Sequence, residues 1–198
     1  ANVNVVHKSA GDSVIEEYTL LNVLPRDIAD AHLSGSLHLS NLGVWILEPN
    51  EFAHDLRFFF KHGLQFSQPQ LAVASSPPPK SLEAAFSTIL NLLRSTAAEV
   101  SGEQLLDYFN VFLAPFIRGV DADRTRENLR LFVLNTNQTL VNPDSTSSVS
   151  VGLETVVPSF LKDKEAIGPE GKKEGSYEDY ADESCLLASL LLETVLDE

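Results

Sequence analysis

Methionine is missing from all 198 residues, and the chain opens on Ala1. Cores commonly use Met as an adaptable filler. Its absence sets the expectation of a fragment of a larger catalytic subunit, with residues 1–198 forming a single domain or a partial barrel domain. Cysteine occurs once, at Cys185, which excludes an internal disulfide and fits a reducing, cytoplasmic compartment. Basic residues are scarce, 14 Lys+Arg against 28 Asp+Glu, a formal charge of −14. A chain so acidic lacks the phosphate-neutralising charge of a nucleic-acid-polymer binder, but a nucleotide site needs only a few local donors. There is no apolar run of about 18 residues, so no membrane span is expected. No signal peptide is expected either, because Asn2, Asn4, His7 and Lys8 interrupt the apolar positions at the start. The 43% hydrophobic content is that of a folded globular chain.

Periodicity and punctuation predict a helix-rich order. Ser13-x-x-Glu16 reads as a capping box opening a helix with Val14, Tyr18 and Leu21. Pro25 suits the first turn of the next helix, with Gly35 just past its end. Residues 36–47 read as a strand in which Gly43 marks a bulge or a close approach by a ligand, and Pro49-Asn50 as the start of a helix carrying Phe52, Leu56, Phe59 and Phe60. Ser81 caps a helix, Ser101-x-x-Gln104 is a second capping box, and Pro115 ends the helix that follows. Leu131-Phe132-Val133-Leu134 reads as a buried strand entering Asn135-Thr136-Asn137, and residues 149–157 as another strand. Residues 162–176 read as a mobile loop and 177–196 as a buried final helix. Three strands far apart among helices imply α/β with crossover connections.

Composition and spacing alone leave the site open. His32 and His38 straddle a turn, His54 and His62 are too far apart for a helical ligand pair, and packing roles are favoured over metal binding. Cys185 lies in an apolar helix, which favours core packing over nucleophilic chemistry. Asn135 and Asn137 follow an expected strand, where ligands bind in open α/β sheets; a polar strand end entering a turn is the equal alternative.

Four stretches, in order, resemble one family. Leu24-Pro25-Arg26-Asp27-Ile28-Ala29-Asp30-Ala31-His32-Leu33-Ser34-Gly35-Ser36-Leu37-His38-Leu39 resembles the N-terminal part of anaerobic ribonucleoside-triphosphate reductases, glycyl-radical enzymes with an Ala-His, a Gly and a His-Ile-His-Asp-Leu strand there. Asp107-Tyr108-Phe109-Asn110 followed by Leu113-Ala114-Pro115-Phe116, then Phe132-Val133-Leu134-Asn135-Thr136, then Tyr177 to Glu183 resemble later segments. The resemblance implies the first half of the glycyl-radical/ribonucleotide reductase barrel, strands inside and helices outside. It implies a parent that replaces the 2′-OH of ribonucleoside triphosphates with hydrogen by thiyl-radical chemistry. The glycyl radical would be installed by a radical-SAM activase, with no cofactor held by this chain, and the parent would be a homodimer. His38 and Asn41 would line the substrate pocket from a first barrel strand and Asn135 from a second. The sequence departs from the family pattern in three ways. Ser40-Asn41 stands where the family has His-Asp, no Arg-Gly-Gly-Gln follows Asn137, and no cysteine falls on the early strands. These departures motivate an alternative, a non-catalytic relative serving as an oligomerisation or nucleotide-binding module.

Overall fold

A computed structural model describes residues 3–46, 49–65, 75–97, 99–140 and 148–197. Helix α1 (Val3–Tyr18) runs into a wider π turn (Thr19–Val23) and, across Pro25, into α2 (Arg26–Leu33). Strand β1 (Glu51–Ala53) leads to α3 (Leu56–His62) and α4 (Leu82–Thr96); β2 (Glu103–Leu106) leads to α5 (Phe109–Ile117) and α6 (Ala122–Leu140). After β3 (Ser148–Val151) come the short α7 (Ser159–Lys162), the hairpin β4 (Glu165–Ile167) and β5 (Lys173–Ser176), and α8 (Ala181–Asp197). Strands β1, β2 and β3 form a parallel sheet in that order. The architecture is the expected helix-rich α/β with crossovers, since parallel neighbours cannot be joined by tight hairpins.

The strands are not where periodicity put them. Residues 36–46 form turns and irregular backbone rather than a strand. Phe52, read as helical, lies in β1, and the true start of α3 is capped by Asp55, whose Oδ1 accepts from the Arg57 N–H at 3.1 Å. Ser101-x-x-Gln104 is not a capping box, because residues 103–105 pair with strands on both sides. Pro115 sits inside α5, in a last turn that continues to Ile117. Leu131–Leu134 is helical; Phe132 faces the core while Leu131 and Leu134 are about half exposed, the mixture a 3.6-residue period produces. Ser13 is not a cap but lies mid-helix, with its hydroxyl donating to the Ser9 carbonyl at 3.0 Å. The expected mobile loop at 162–176 is the β4–β5 hairpin, with Ala166 and Ile167 buried. The loop expected at 142–148 lies outside the described residues except for Ser148.

The main core is built from α3 to α8 and includes Phe60, Phe86, Phe109, Phe112 and Phe132. Phe86 and Phe109 both stack on Phe132, with ring centroids 4.8 and 5.5 Å away, which ties α4, α5 and α6 together. The core has two polar nodes. Asn110, fully buried, donates to the Glu154 carbonyl at 2.7 Å and to Ser184 Oγ at 2.8 Å, and accepts from the Glu154 N–H at 2.9 Å. It joins α5, the turn after β3, and α8. Gln104, also fully buried, donates from Nε2 to the Leu93 carbonyl at 3.1 Å. That contact fixes the amide so that Oε1 accepts from His54 Nε2 at 3.0 Å and from the Thr96 hydroxyl, whose proton it shares with the Leu92 carbonyl. β2 is thereby bound to the end of β1 and to the last turn of α4.

Replacing Gln104 with Leu leaves the His54 N–H and the Leu93 carbonyl without this partner; the expected loss is about 1–3 kcal/mol, read as a lower urea midpoint. Burial holds the His54 imidazole below its usual range, and the bond to Gln104 offsets only part of that. The unfolded chain therefore takes up the proton first. Stability is expected to be full above about pH 6.5 and to fall on acidification by up to about 1.4 kcal/mol per pH unit, a slope that His54→Asn flattens in thermal melts at stepped pH.

Candidate functional site

Two of the three sequence-predicted site residues meet in one cleft. Helix α2 ends where the Ser36 and Leu37 N–H groups both donate to the Ala31 carbonyl, at 2.9 and 3.1 Å, while Gly35 takes the left-handed conformation at φ 76°. The chain then turns back over α2. His32 Nδ1 accepts from the Leu39 N–H at 3.1 Å, and the His32 and His38 rings lie 5.6 Å apart, tilted by 31°. Asn41 is left-handed at φ 59°, a conformation Asn tolerates better than most residues, and its carbonyl accepts from the Val44 N–H at 3.0 Å. Gly43 brings this loop against α1: a Cβ there would lie 2.7 Å from the Asp12 carbonyl oxygen. The close approach expected at Gly43 was with a ligand; the structure puts the glycine against the protein's own backbone instead.

The resulting cleft, about 470 Å³, is lined by Lys8, Asp12 and Glu16 of α1, by His32, by the loop carrying His38 and Asn41, and by Ser101 just before β2. It lies by the N-terminal end of β2, not beyond the carboxyl ends of the strands. His38 and Asn41 are exposed and His32 is half-buried. The lining is mostly hydrogen-bonding: two carboxylates that accept, one ammonium that donates, and two imidazoles that do either. Such a site suits hydroxyl and amide groups better than a bare polyanion, because Asp12 and Glu16 outnumber Lys8. Lys8, Asp12, Glu16 and Ser101 were missed by sequence reasoning. The first three recur every fourth residue, a single stripe on a helix, and become a site only when α1 reaches back to Val3.

Asn135 is elsewhere. It lies on α6, not on a strand, with Nδ2 donating to the Leu131 carbonyl at 2.6 Å. It faces a separate groove of about 280 Å³ between α4 and α6, lined also by Asn91, Arg94 and Asn128. At the edge of that groove Glu83 is held down at about 2 by its own backbone N–H and the Ser81 hydroxyl, then by Arg124 and Asn128. Cys185, expected in the core, is exposed on α8, whose buried face carries Ser184, Leu187, Leu190, Leu191 and Thr194. Among the described residues no three His, Cys, Asp or Glu side chains gather as a metal site.

A sequence model of the anaerobic ribonucleoside-triphosphate reductase matches residues 1–198. The chain belongs to that family. Curated relatives include the anaerobic ribonucleoside-triphosphate reductases of Haemophilus influenzae, 24% identical over 107 residues, and Escherichia coli, 26% identical over 106 residues. Each match covers about half of this chain, 53% and 52%, and 14% of the relative. The fold is similar to the anaerobic ribonucleotide reductase from Thermotoga maritima with citrate in its active site, at a TM-score of 0.73 and 16% identity, covering 100% of this chain and 38% of that one. The same enzyme with dATP bound in its specificity site aligns at a TM-score of 0.72 and 17% identity, over 100% of this chain and 36% of that one. This chain thus spans well under half the length of the relatives it matches.

Gly43→Ala forces the loop off α1, since the clash is with backbone rather than a flexible side chain. The expected result is faster amide exchange at Val44 and along α1, with a stability loss of about 1–3 kcal/mol.

Proposed function

We propose that this chain forms part of the barrel of an anaerobic ribonucleoside-triphosphate reductase, and that the cleft between α1, α2 and the His38–Val44 loop takes the ribonucleoside part of the substrate. The observation that carries the reading is the convergence of His38 and Asn41 in one cleft, in a chain that matches the family from end to end. The chemistry of the lining favours a ribose and base over phosphates. Asp12 and Glu16 accept from sugar hydroxyls, Asn41 pairs with an amide or hydroxyl, and among the described lining residues Lys8 is the one ammonium available to a phosphate. Helices cover the face of the sheet that buries Gln104 and Leu106. The opposite face presents Glu51, Ala53, Glu103, Leu105, Ser148 and Ser150, with the Ser150 hydroxyl donating to Glu103. A half-barrel would enclose that polar face.

In the parent enzyme a glycyl radical, raised by a radical-SAM activase, would supply hydrogen-atom abstraction. The residues here do not provide the thiol partner of that chemistry: Cys185 is exposed on α8, which packs on α5 and α6. This chain's share is binding and orientation of the substrate. A homodimer is part of the same reading, supported by the exposed Leu131 and Leu134 on α6 and Leu192 and Val195 on α8. So is a cytoplasmic setting, supported by the lone, unpaired cysteine.

Calorimetric titration with ribonucleoside triphosphates and with the uncharged ribonucleosides tests the proposal. His38→Ala and Asn41→Ala should each weaken binding by about 5- to 15-fold. Asn135→Ala, in the other groove, should leave it unchanged. Nucleosides should keep most of the affinity of their triphosphates. Equal binding by wild type and the two cleft variants, or no binding at all, refutes the assignment.

A further inference from the structure

The conformation of the cleft loop depends on one imidazole. Leu39 follows His38 directly, and its N–H donates to His32 Nδ1 at 3.1 Å. A nitrogen that accepts carries no proton, so the neutral His32 ring holds its proton on Nε2. The same ring lies against His38 at 5.6 Å. His32 therefore fixes the backbone on one side of His38 and the ring of His38 itself, and Asn41 follows two residues after Leu39. His32 is itself anchored in α2, its carbonyl accepting from the Gly35 N–H at 3.1 Å.

We infer that His32 is a positioning residue, which holds the His38–Asn41 loop in its binding conformation through the Leu39 N–H. This rests on the nucleoside reading of the same cleft. Loss of the acceptor at Nδ1 would leave the Leu39 N–H without this partner and free the backbone that runs from His38 to Asn41. Binding by His38 and Asn41 thereby depends on His32 through the loop.

The test separates the acceptor from the ring. In His32→Asn the amide oxygen replaces Nδ1; in His32→Leu the acceptor is gone. Amide exchange at Leu39, corrected for intrinsic rate, is compared at a single pH, with thermal melts as a folding control. The Asn variant should keep the wild-type protection, and the Leu variant should lose about tenfold. Nucleoside affinity should follow the same pattern across the three proteins. Leu39 protection in His32→Leu equal to that of wild type, or in His32→Asn as low as in His32→Leu, overturns the inference. Should His32→Leu fail to fold, His32→Ala, which also removes the acceptor, takes its place. If Leu39 behaves as expected and no nucleoside binds, the positioning role stands and the nucleoside reading fails.

Discussion

Parallel pairing on both edges of β2 is the constraint from which the rest of the structure follows. Residues 103–105 bond to β1 on one side and β3 on the other, so the chain must cross the sheet twice between them. Those crossovers are α3–α4 and α5–α6, and they place four helices where their apolar stripes can meet. Gln104 extends the constraint from backbone to side chain. A buried amide demands partners for both of its ends, and Leu93, Thr96 and His54 supply them from α4 and the end of β1. The sheet and its covering helices are thus registered by hydrogen bonds, which have direction, as well as by apolar packing, which has little.

The cleft sits outside that core and is organised differently. Among the described residues, none of the main core comes from α1 or α2. Thr19, Ala29 and Leu42 are buried apart from it. Shape in the cleft comes instead from backbone devices: a left-handed glycine ending α2, a left-handed Asn41, and a glycine at 43 that lets the loop touch α1. Such a region has less apolar burial to resist opening than the α3–α8 core has, which is the usual condition of segments that bind and release ligands.

Where apolar side chains remain exposed, they lie on helices that already bury another face. In α6, Leu129 and Phe132 face the core while Leu131 and Leu134 face out; in α8, Leu187 and Leu190 are buried while Leu192 and Leu196 are not. Helices apolar on two sides suit a layer between two partners. The polar side of the sheet, with Glu51, Glu103 and Ser150, suits an enclosed surface in the same way. Both features fit a chain that covers 38% of a longer relative of the same fold.

Local signals determined what local physics controls. The Ser81 cap, Pro25 before α2, Gly35 beyond its end, and the long apolar pattern of α8 were legible because each acts within a turn or two of the chain. Fold class and family were legible from segment order; His38 and Asn41, expected together, both line the cleft beside α1. The strands were not legible. Three or four residues are too short for a period to register, and Phe52, Gln104 and Leu105 are strand residues only because distant segments pair with them. Leu131–Leu134 misled for the converse reason: four apolar residues in a row fit a buried strand as well as a helix, and only the Phe86 and Phe109 rings stacked on Phe132 decide between them. Asn135 was carried away from the cleft by that same helix. Lys8, Asp12, Glu16 and Ser101 entered the site through contacts nearly 100 residues apart in the chain, a proximity that no spacing along the sequence encodes.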